Sequence, residues 1–373
     1  MMKLKIRKDE LINGLQMTQK GMSTKNTIPH LNGYLLQSIE SDPPTLKIQT
    51  YDLEMGVSYV LPCDIEKPGE IVVPASFFDI VKKMPLETIY IDVDHENLQI
   101  KIESGQVYIE LKGLDPSEYP HLPRVEEFNS FSLPQQVLRQ MIHETSFAVS
   151  KEETKPAFTG VLFRFSEEDK MDMVATDSFR LAWSKEKIIN DDGIRGEFII
   201  PQKTVNQLQR ILQDDDSIIK LSLSQDYFLC ESGQVKVVSK LIKETFPNLE
   251  QVIPKNYQSK IYLDRKSFAE SMDRAVLLAS EETNNIVKLN IREDNMEITS
   301  HSPQTGKFKE ELAIDCEGDN ISIALNAKFL IEVLKIMQEA EVELEFTGSY
   351  SPVILRPWEN ERYFHLILPV RAI

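Results

Sequence analysis

The chain has 373 residues, a formal net charge of −17 and a hydrophobic content of 41%, which is ordinary for a globular protein. No apolar run reaches the roughly 18–20 residues that a membrane helix needs. The charged start MMKLKIRKDE predicts no secretory signal. Three widely separated cysteines (Cys63, Cys230 and Cys316) predict reduced thiols rather than a disulfide or zinc framework. We therefore expect a cytoplasmic protein with no membrane contact.

Sequence landmarks recur three times at an interval of about 125 residues. One landmark is a strand-like run that ends in small polar residues, at 46–52, 171–177 and 296–302. A second landmark is a β-rich run that leads into a helix, and its copies are GEIVVPASFFDIVKKM, GEFIIPQKTVNQLQRIL and NISIALNAKFLIEVLKIM. Matching phases in all three copies predict three domains of one module, which we call repeat one (1–126), repeat two (127–253) and repeat three (254–373).

Each repeat is predicted to run helix, strands, helix, strands. The predicted first helices span 7–25, 134–151 and 264–280, and the second helices span 74–84, 201–212 and 326–337. Pro134 suits the first turn of a helix, and Asp264 is a plausible N-cap. Alternating runs such as TIYIDVD and VELEFTG predict strands. The fold class is therefore α+β, with two helices per repeat packed on antiparallel sheets.

The predicted helices are the basic part of an acidic chain. Together their windows carry a formal charge of +7, which leaves −24 for the remaining residues. Lysine and arginine on helices can serve solubility alone. Alternatively, the helices form a surface that faces an anion such as duplex DNA, and such phosphate contacts would be independent of base sequence and sensitive to salt.

The sequence contains no recognisable catalytic constellation. Its six histidines are scattered and show neither HxH nor HExxH spacing, and no glycine-rich phosphate-binding loop is present. The acidic IDVDHE at 91–96 could suggest a metal site, but it lies where a strand passes into a turn. We expect a non-enzymatic protein without metal, cofactor or nucleotide hydrolysis.

Motifs from all three repeats resemble one known family. They are TYDLEM (50–55), VPASFFDIVKKMP (73–85), VATDSFRLAW (174–183), SKLIKETFPNLEQVIPKN (239–256), ALNAKFLIEVL (324–334) and the terminal LILPVRAI (366–373). The combination of ATD-x-x-RLA, FPN and LPVR is specific, although none of these strings is convincing alone. The chain resembles the bacterial DNA polymerase III beta subunit, the beta sliding clamp, along its whole length.

This resemblance implies a homodimeric ring of six DNA-clamp domains, closed head to tail around double-stranded DNA. A clamp loader would open the ring, and DNA polymerases and other replication or repair proteins would bind it through short peptide motifs. Such a protein serves DNA replication as a processivity factor, a non-catalytic component of the DNA polymerase III holoenzyme. The alternative is a paralogous adaptor ring that binds peptide motifs without being the main replication clamp.

The resemblance also implies two sets of site residues, and charge together with helix position selects a third set that would face DNA. The peptide-binding groove would include Phe158, Thr176, Ser178, Phe179, Arg180, Leu181, Pro247, Val252, Asn326, Phe329, Tyr350, Pro352, Leu366, Ile367, Leu368, Pro369, Val370 and Arg371. The DNA-facing candidates are Lys20, Lys25, Lys82, Lys151, Lys203 and Arg210. The dimer interface would bring Tyr108, Ile109 and Leu111 against Leu277 and Leu278 of a second chain.

Other interpretations of these residues stay open. Leu181 and Ile367 could be core strand residues, and the interface candidates could be ordinary core side chains. Phe179 stands where the family often has histidine, and Gln251 stands where some members have a basic residue. Thr283 or Asn284 occupies a position that can be aromatic. These departures put the preferred peptide sequence in doubt.

Overall fold

The computed structural model describes residues 1–22, 28–123, 129–166, 169–190, 192–279, 285–304 and 306–370. Four residues singled out by the sequence lie outside the described residues, namely Lys25, Thr283, Asn284 and Arg371. Within the described ranges, each repeat contains two α-helices and eight or nine strands.

The elements of repeat one follow the predicted order of helix, strands, helix, strands after a first short strand. They are β1 (Met2–Arg7), α1 (Lys8–Thr18), β2 (Gly33–Ile39), β3 (Thr45–Tyr51), β4 (Met55–Pro62), β5 (Asp64–Lys67), β6 (Glu70–Pro74), α2 (Phe77–Lys83), β7 (Thr88–Asp94), β8 (Gln99–Ser104) and β9 (Val107–Lys112).

The other two repeats use the same order. Repeat two consists of β10 (Asn129–Pro134), α3 (Gln135–Thr145), β11 (Gly160–Phe165), β12 (Lys170–Thr176), β13 (Arg180–Lys187), β14 (Gly196–Pro201), α4 (Gln202–Ile211), β15 (Ile218–Leu223), β16 (Tyr227–Ser232) and β17 (Val235–Lys240). Repeat three consists of β18 (Ser259–Asp264), α5 (Arg265–Val276), β19 (Ile286–Arg292), β20 (Asn295–Ser302), β21 (Gly306–Ala313), β22 (Asp315–Gly318), β23 (Ile321–Asn326), α6 (Ala327–Ile336), β24 (Glu341–Phe346), β25 (Val353–Pro357) and β26 (Tyr363–Ile367).

The helix ends confirm some sequence predictions and correct others. The Asp264 carboxylate accepts a hydrogen bond from the Ser267 backbone N–H at 2.7 Å, so Asp264 is the predicted N-cap of α5. Pro134 is instead the last residue of β10, and α3 begins one residue later. Proline is tolerated there because β10 is an edge strand of its sheet. The first predicted helix is also shorter than expected, since α1 ends at Thr18 and a 3₁₀ turn follows at Gln19–Gly21.

The chain divides by its contacts into two compact units, and the division falls inside repeat two. The first unit comprises residues 1–136, 189–194 and 206–241, and the second comprises 137–188, 195–205 and 242–373. All sheets are antiparallel. The first unit holds an eight-stranded sheet in the order β10-β15-β16-β17-β4-β3-β2-β6 and a five-stranded sheet in the order β5-β1-β7-β8-β9. The second unit holds a nine-stranded sheet in the order β14-β11-β12-β13-β26-β25-β24-β18-β22 and a four-stranded sheet in the order β21-β20-β19-β23.

In both units, one strand pair joins consecutive repeats into a single sheet. In the first unit β4 pairs with β17, from Tyr59 opposite Val235 to Met55 opposite Ser239. In the second unit β13 pairs with β26, from Arg180 opposite Ile367 to Ser184 opposite Tyr363. We call each of these pairings a repeat junction.

Apolar side chains of the helices and sheets form the core of each unit. In the first unit Leu11 and Leu15 of α1 are fully buried. Gly14 lets this helix approach the sheet, because a Cβ at that position would lie only 2.9 Å from Ile48 Cδ1. In the second unit α5 and α6 pack together over the side chains of β18 to β26, with Phe268 and Leu330 fully buried.

Two further observations concern the described residues alone. None of their helices is long and apolar enough to cross a membrane. They also contain no group of three or more His, Cys, Asp or Glu side chains that could hold a metal ion.

The cysteines provide a test of this packing. Burial raises the pKa of the Cys63 thiol to about 11 and that of the Cys230 thiol to about 12, whereas Cys316 is only partly buried. Because the thiolate is the reactive form, iodoacetamide at pH 8 should modify Cys316 first and Cys230 at least about 100-fold more slowly than an unperturbed thiol. Mass spectrometry of timed samples checks the order, with guanidinium-unfolded protein as the control. Equal rates at Cys316 and Cys230 in the native protein would contradict the packing described.

Candidate peptide-binding groove

The turn between β12 and β13 holds Phe179 at the protein surface. One Asp177 oxygen accepts hydrogen bonds from the backbone N–H groups of Phe179 (2.9 Å) and Arg180 (3.1 Å). The Thr176 hydroxyl donates to the Arg180 carbonyl at 2.6 Å, and Ser178 adopts a positive φ of 80°. Asp and Thr side chains that bond to nearby backbone stabilise such turns. As a result, the aromatic ring of Phe179 is 59% exposed.

Arg180 is the most connected side chain of this region. Its Nε donates to Asp177 at 2.9 Å, a terminal nitrogen donates to the Phe147 carbonyl at 3.1 Å, and the other forms an ion pair with Glu332 of α6. The guanidinium also lies over the rings of Phe329 (4.5 Å) and Phe147 (5.1 Å), in the geometry of cation–π contacts. Since these partners belong to three separate segments, Arg180 connects the turn before β13, the segment at Phe147 and α6 in the candidate groove.

Leu181, the residue after Arg180, belongs to a buried apolar cluster. Its buried members are Leu162, Val174, Leu181, Trp183, Ile199, Phe246 and Leu366. Phe158 packs on the cluster with its ring edge-on to that of Phe246, at a centroid distance of 5.7 Å. Leu181 and Leu366 are thus core residues, and Ile367 is fully buried in the core of repeat three. The sequence left open whether Leu181 and Ile367 are core strand residues, and their burial supports that interpretation.

Several predicted groove residues do present apolar surface. Tyr350 is 83% exposed, Val252 46% and Leu368 36%, in addition to Phe179. The Leu368 backbone N–H donates to the Phe179 carbonyl at 2.9 Å, so these two residues lie side by side. Adjacent exposed apolar side chains such as Phe179 and Leu368 are typical of binding surfaces. No hydrogen bond or ring contact among the described residues joins Tyr350 to the others.

The remaining groove candidates have mixed environments. Asn326 caps α6, because its side-chain oxygen accepts from the Lys328 N–H at 2.9 Å. Thr176 is buried in its turn, whereas Pro247 is exposed. Partial burial is shared by Phe158, Ser178, Phe329, Pro352, Pro369 and Val370.

A cavity of about 450 Å³ lies beside Arg180. Phe179, Arg180 and Phe329 line it together with Lys151, one of the DNA-facing candidates. Lys151 itself is exposed. One end of the predicted groove therefore lies close to a predicted DNA contact within the second unit.

The other basic candidates that the structure describes are exposed, as phosphate contacts require. Lys20 lies in the 3₁₀ turn after α1, Lys82 in the last turn of α2, and Lys203 and Arg210 at opposite ends of α4. Within the observed bounds, the six described helices carry eleven Lys and Arg against seven Asp and Glu, a net charge of +4. The helices are thus basic, although less so than their wider predicted windows.

His365 is a buried residue next to Phe147 that the sequence did not single out. It is 1% exposed in β26, and within the described residues neither ring nitrogen has a hydrogen-bond partner. Its ring stands edge-on to Phe147 at 5.4 Å and to Tyr363 at 5.7 Å. Burial, reinforced by the positive charge of Arg180, lowers the pKa of His365 to about 3. No sequence signal distinguishes a buried histidine without hydrogen-bond partners from any other single histidine in an apolar strand.

Comparison with known proteins assigns the family. The DNA polymerase III beta subunit models match the chain in three parts: the N-terminal domain at residues 2–123, the central domain at 132–248 and the C-terminal domain at 250–371. The chain belongs to the DNA polymerase III beta subunit family. It therefore contains three clamp domains, and the groove residues fall in the central and C-terminal ones.

Relatives of this beta subunit match it over their whole length. The beta sliding clamps of Bacillus subtilis (strain 168) and Staphylococcus aureus (strain Mu50) are each 35% identical over 382 aligned residues, covering 100% of both chains. A crystal structure of the DNA polymerase sliding clamp from Bacillus subtilis has a TM-score of 0.94 at 34% identity, again with full coverage of both chains. A sliding clamp from Pseudomonas aeruginosa bound to griselimycin has a TM-score of 0.92 at 26% identity and the same coverage. The assignment as a beta sliding clamp that serves DNA replication follows from these matches.

The buried His365 predicts a pH effect on stability. The folded pKa of about 3 lies below the ordinary value of 6.5, so the unfolded chain binds the extra proton first. Well above pH 6.5, His365 is neutral in both states and the free energy of unfolding has its full value. That free energy decreases as the pH falls toward 3, and about 2 kcal/mol of it is lost at pH 5. We expect His365→Phe to reduce the difference between the urea unfolding midpoints at pH 7 and pH 5.

His301→Phe provides the control for this experiment, because His301 is exposed. This substitution should leave the difference between the two midpoints as in the unsubstituted chain. An unchanged difference in His365→Phe would show that His365 does not titrate as described.

Proposed function

We propose that two copies of this chain close head to tail into a ring around double-stranded DNA, and that the ring slides while it tethers replication proteins. The observation that carries this proposal is a pair of unpaired strand edges, β9 in repeat one and β21 in repeat three. Within the described residues, β9 pairs only with β8 and β21 only with β20.

The two repeat junctions indicate what these edges bind. β4 of repeat one corresponds to β13 of repeat two and to β21 of repeat three, at intervals of about 125 residues. Likewise β9, β17 and β26 are equivalent strands of successive repeats. Since β4 pairs with β17 and β13 with β26, the third equivalent pair is β21 with β9. Pairing of β21 with β9 of a second chain would repeat the junction and close a ring through two identical interfaces.

Exposed apolar residues near these edges support the same interface. Tyr108 in β9 is 49% exposed, and Ile109 and Leu111 are partly exposed. Leu277, in the turn after α5, is 78% exposed, and Leu278 beside it is partly exposed. Long, unpaired edges with exposed apolar side chains promote association unless a partner strand covers them. A second chain would bury all five residues.

The helix charges support DNA as the enclosed ligand. A chain of −17 repels a polyanion on average, yet its described helices carry a net charge of +4. Lys82, Lys203 and Arg210 are exposed on these helices, and Lys20 and Lys151 are exposed in the segments that follow α1 and α3. Weak phosphate contacts from such side chains are independent of base sequence and let a protein move along the duplex. The ring would then leave the DNA at an end or by opening, which calls for a clamp loader.

The groove would bind short linear peptides of DNA polymerases and other replication or repair proteins. Phe179 and Leu368 offer adjacent apolar contacts, and Arg180 holds their supporting segments in place. Tethering makes each rebinding of a polymerase to the primer end effectively intramolecular, which raises its local concentration without new DNA contacts. In this mechanism the chain works in the cytoplasm as a processivity factor and performs no catalysis itself. The adaptor ring is the competing function, and it differs in never enclosing DNA.

A topological experiment separates the two functions. The chain is loaded by a clamp loader and ATP onto nicked circular DNA, isolated at low salt and then treated with a restriction enzyme that cuts the circle once. We expect the protein to stay on uncut circles and to dissociate from linear DNA, because a ring slides off an end. Gel filtration of labelled protein with DNA measures retention. Retention on the linear product would contradict the sliding ring, and failure to load would favour the adaptor.

Truncation of the exposed groove side chains tests peptide binding. We expect Phe179→Ala and Leu368→Ala each to weaken binding of a C-terminal peptide of the replicative polymerase by about tenfold or more, as for apolar residues at the centre of an interface. Fluorescence anisotropy with a labelled peptide gives the Kd. Ile218→Ala is the matched control, because Ile218 is 56% exposed but lies in β15, outside the groove. Equal Kd values for all three variants and the unsubstituted chain would exclude this groove.

A further inference from the structure

The first unit contains a cavity of about 1080 Å³ that the proposed function does not use. One face of the eight-stranded sheet forms its floor, with residues from β2, β3, β4, β16 and β17. The segment 116–123, which includes Tyr119 and Leu122, lines its other side. A concave space of this volume is large enough to enclose a peptide segment of several residues.

The cavity lies next to the repeat-one counterpart of the groove cluster. In repeat one, Leu31, Leu35, Tyr51, Val72 and Tyr119 form a buried cluster. Leu35, Val72 and Tyr119 precede Leu162, Ile199 and Phe246 of the groove cluster by 127 residues each. Leu35 and Tyr119 also line the cavity. The cavity spans the first repeat junction, because residues of both β4 and β17 line it. The groove cluster lies at the second junction, because it contains Leu181 of β13 and Leu366 of β26.

The two junctions differ in the hydrogen-bond and ion-pair partners of their cationic side chains. In the groove, Arg180 is held by Asp177 and Glu332. In the cavity, Lys236 Nζ forms an ion pair with Glu231 at 2.8 Å, but Lys47 Nζ has no hydrogen-bond or ion-pair partner among the described residues. Lys47 is half-buried, and burial together with the charge of Lys236 lowers its pKa.

The other residues that line the cavity define which ligand can bind next to Lys47. Apart from Lys47, Lys236 and Glu231, the charged or titratable side chains that face the cavity are Glu70, which accepts a hydrogen bond from Gln37 at 3.2 Å, Tyr119 and His121. Leu35, Leu122 and Val238 add apolar surface. A ligand that satisfies this lining has a carboxylate at Lys47 and an apolar side chain next to it.

We propose that this cavity is a second peptide site, which binds an extended acidic segment of a partner protein with a carboxylate on Lys47 and a neighbouring aliphatic side chain against Leu35 and Leu122. The inference rests on the proposed role of repeat junctions in peptide binding. It adds a site on repeat one with a different preference, so that one chain could hold two segments of a partner at once. A charge-assisted hydrogen bond from the half-buried Lys47 ammonium to the carboxylate supplies the selectivity for acid.

The test uses the full chain with the groove disabled by Phe179→Ala and Leu368→Ala together. The probe is a fluorescein-labelled heptapeptide of alternating leucine and glutamate, and its counterpart has glutamine in place of glutamate. We expect the acidic probe to bind this variant at least about tenfold more tightly than the glutamine probe. Adding Lys47→Met should abolish that preference, whereas Lys67→Met, which removes an exposed lysine of β5, should leave it intact.

The possible results distinguish this site from the groove. If the acidic probe binds only chains with an intact groove, the second site is wrong while the groove proposal survives. Binding that persists unchanged in Lys47→Met, or inorganic phosphate that displaces the probe at equal concentration, also overturns the peptide site. If the groove fails its own anisotropy test but the Lys47-dependent binding is present, the second site stands by itself.

Discussion

The repeat junction is the interaction on which the rest of this structure depends. Five residue pairs of β4 and β17 join repeats one and two, and five pairs of β13 and β26 join repeats two and three. An unpaired strand edge exposes backbone donors and acceptors, and pairing satisfies them. Because Arg180 and Leu181 lie opposite Ile367 and Leu366, the candidate groove residues come from both sides of a junction. The proposed groove would therefore require two adjacent repeats.

Two arginines reinforce the second junction from opposite ends. Arg180 connects the turn before β13 to α6 and to Phe147. Arg362, just before β26, pairs with the buried Glu144 of α3, whose carboxylate also accepts a hydrogen bond from Ser184 of β13 at 2.7 Å. Burial raises the pKa of Glu144 in spite of the arginine, so this carboxylate depends on its partners to remain charged. Both arginines therefore specify how repeats two and three pair, through contacts that the strands alone would not define.

Local sequence patterns predicted the fold class, and they predicted five of the six helix starts to within one residue, whereas α2 begins three residues later than predicted. The period of about 125 residues survives in the structure as equivalent strands, and the Asp264 cap depends on a residue only three positions away. The groove required more than local patterns. Arg180 and Glu332 are 152 residues apart, and Glu144 and Arg362 are 218 apart. Burial of Leu181 and Leu366, and the isolation of His365, likewise depend on which distant strands become neighbours. The motif resemblance selected the candidate residues, whereas their exposure depends on long-range strand pairing that the motifs do not encode.

Within the described residues, β9 and β21 each have one edge without a partner strand. Substitutions at these edges would therefore affect assembly separately from folding. In the proposed ring, the same type of strand pair occurs twice inside each chain and once between chains. Changes in β4, β17, β13 or β26 would alter the stability of the folded chain. Changes confined to β9 and β21 would act on the lifetime of the closed ring, with little effect on the fold. Substitutions in these two edge strands would thus adjust how long the proposed ring stays closed, while the intramolecular junctions keep the monomer intact.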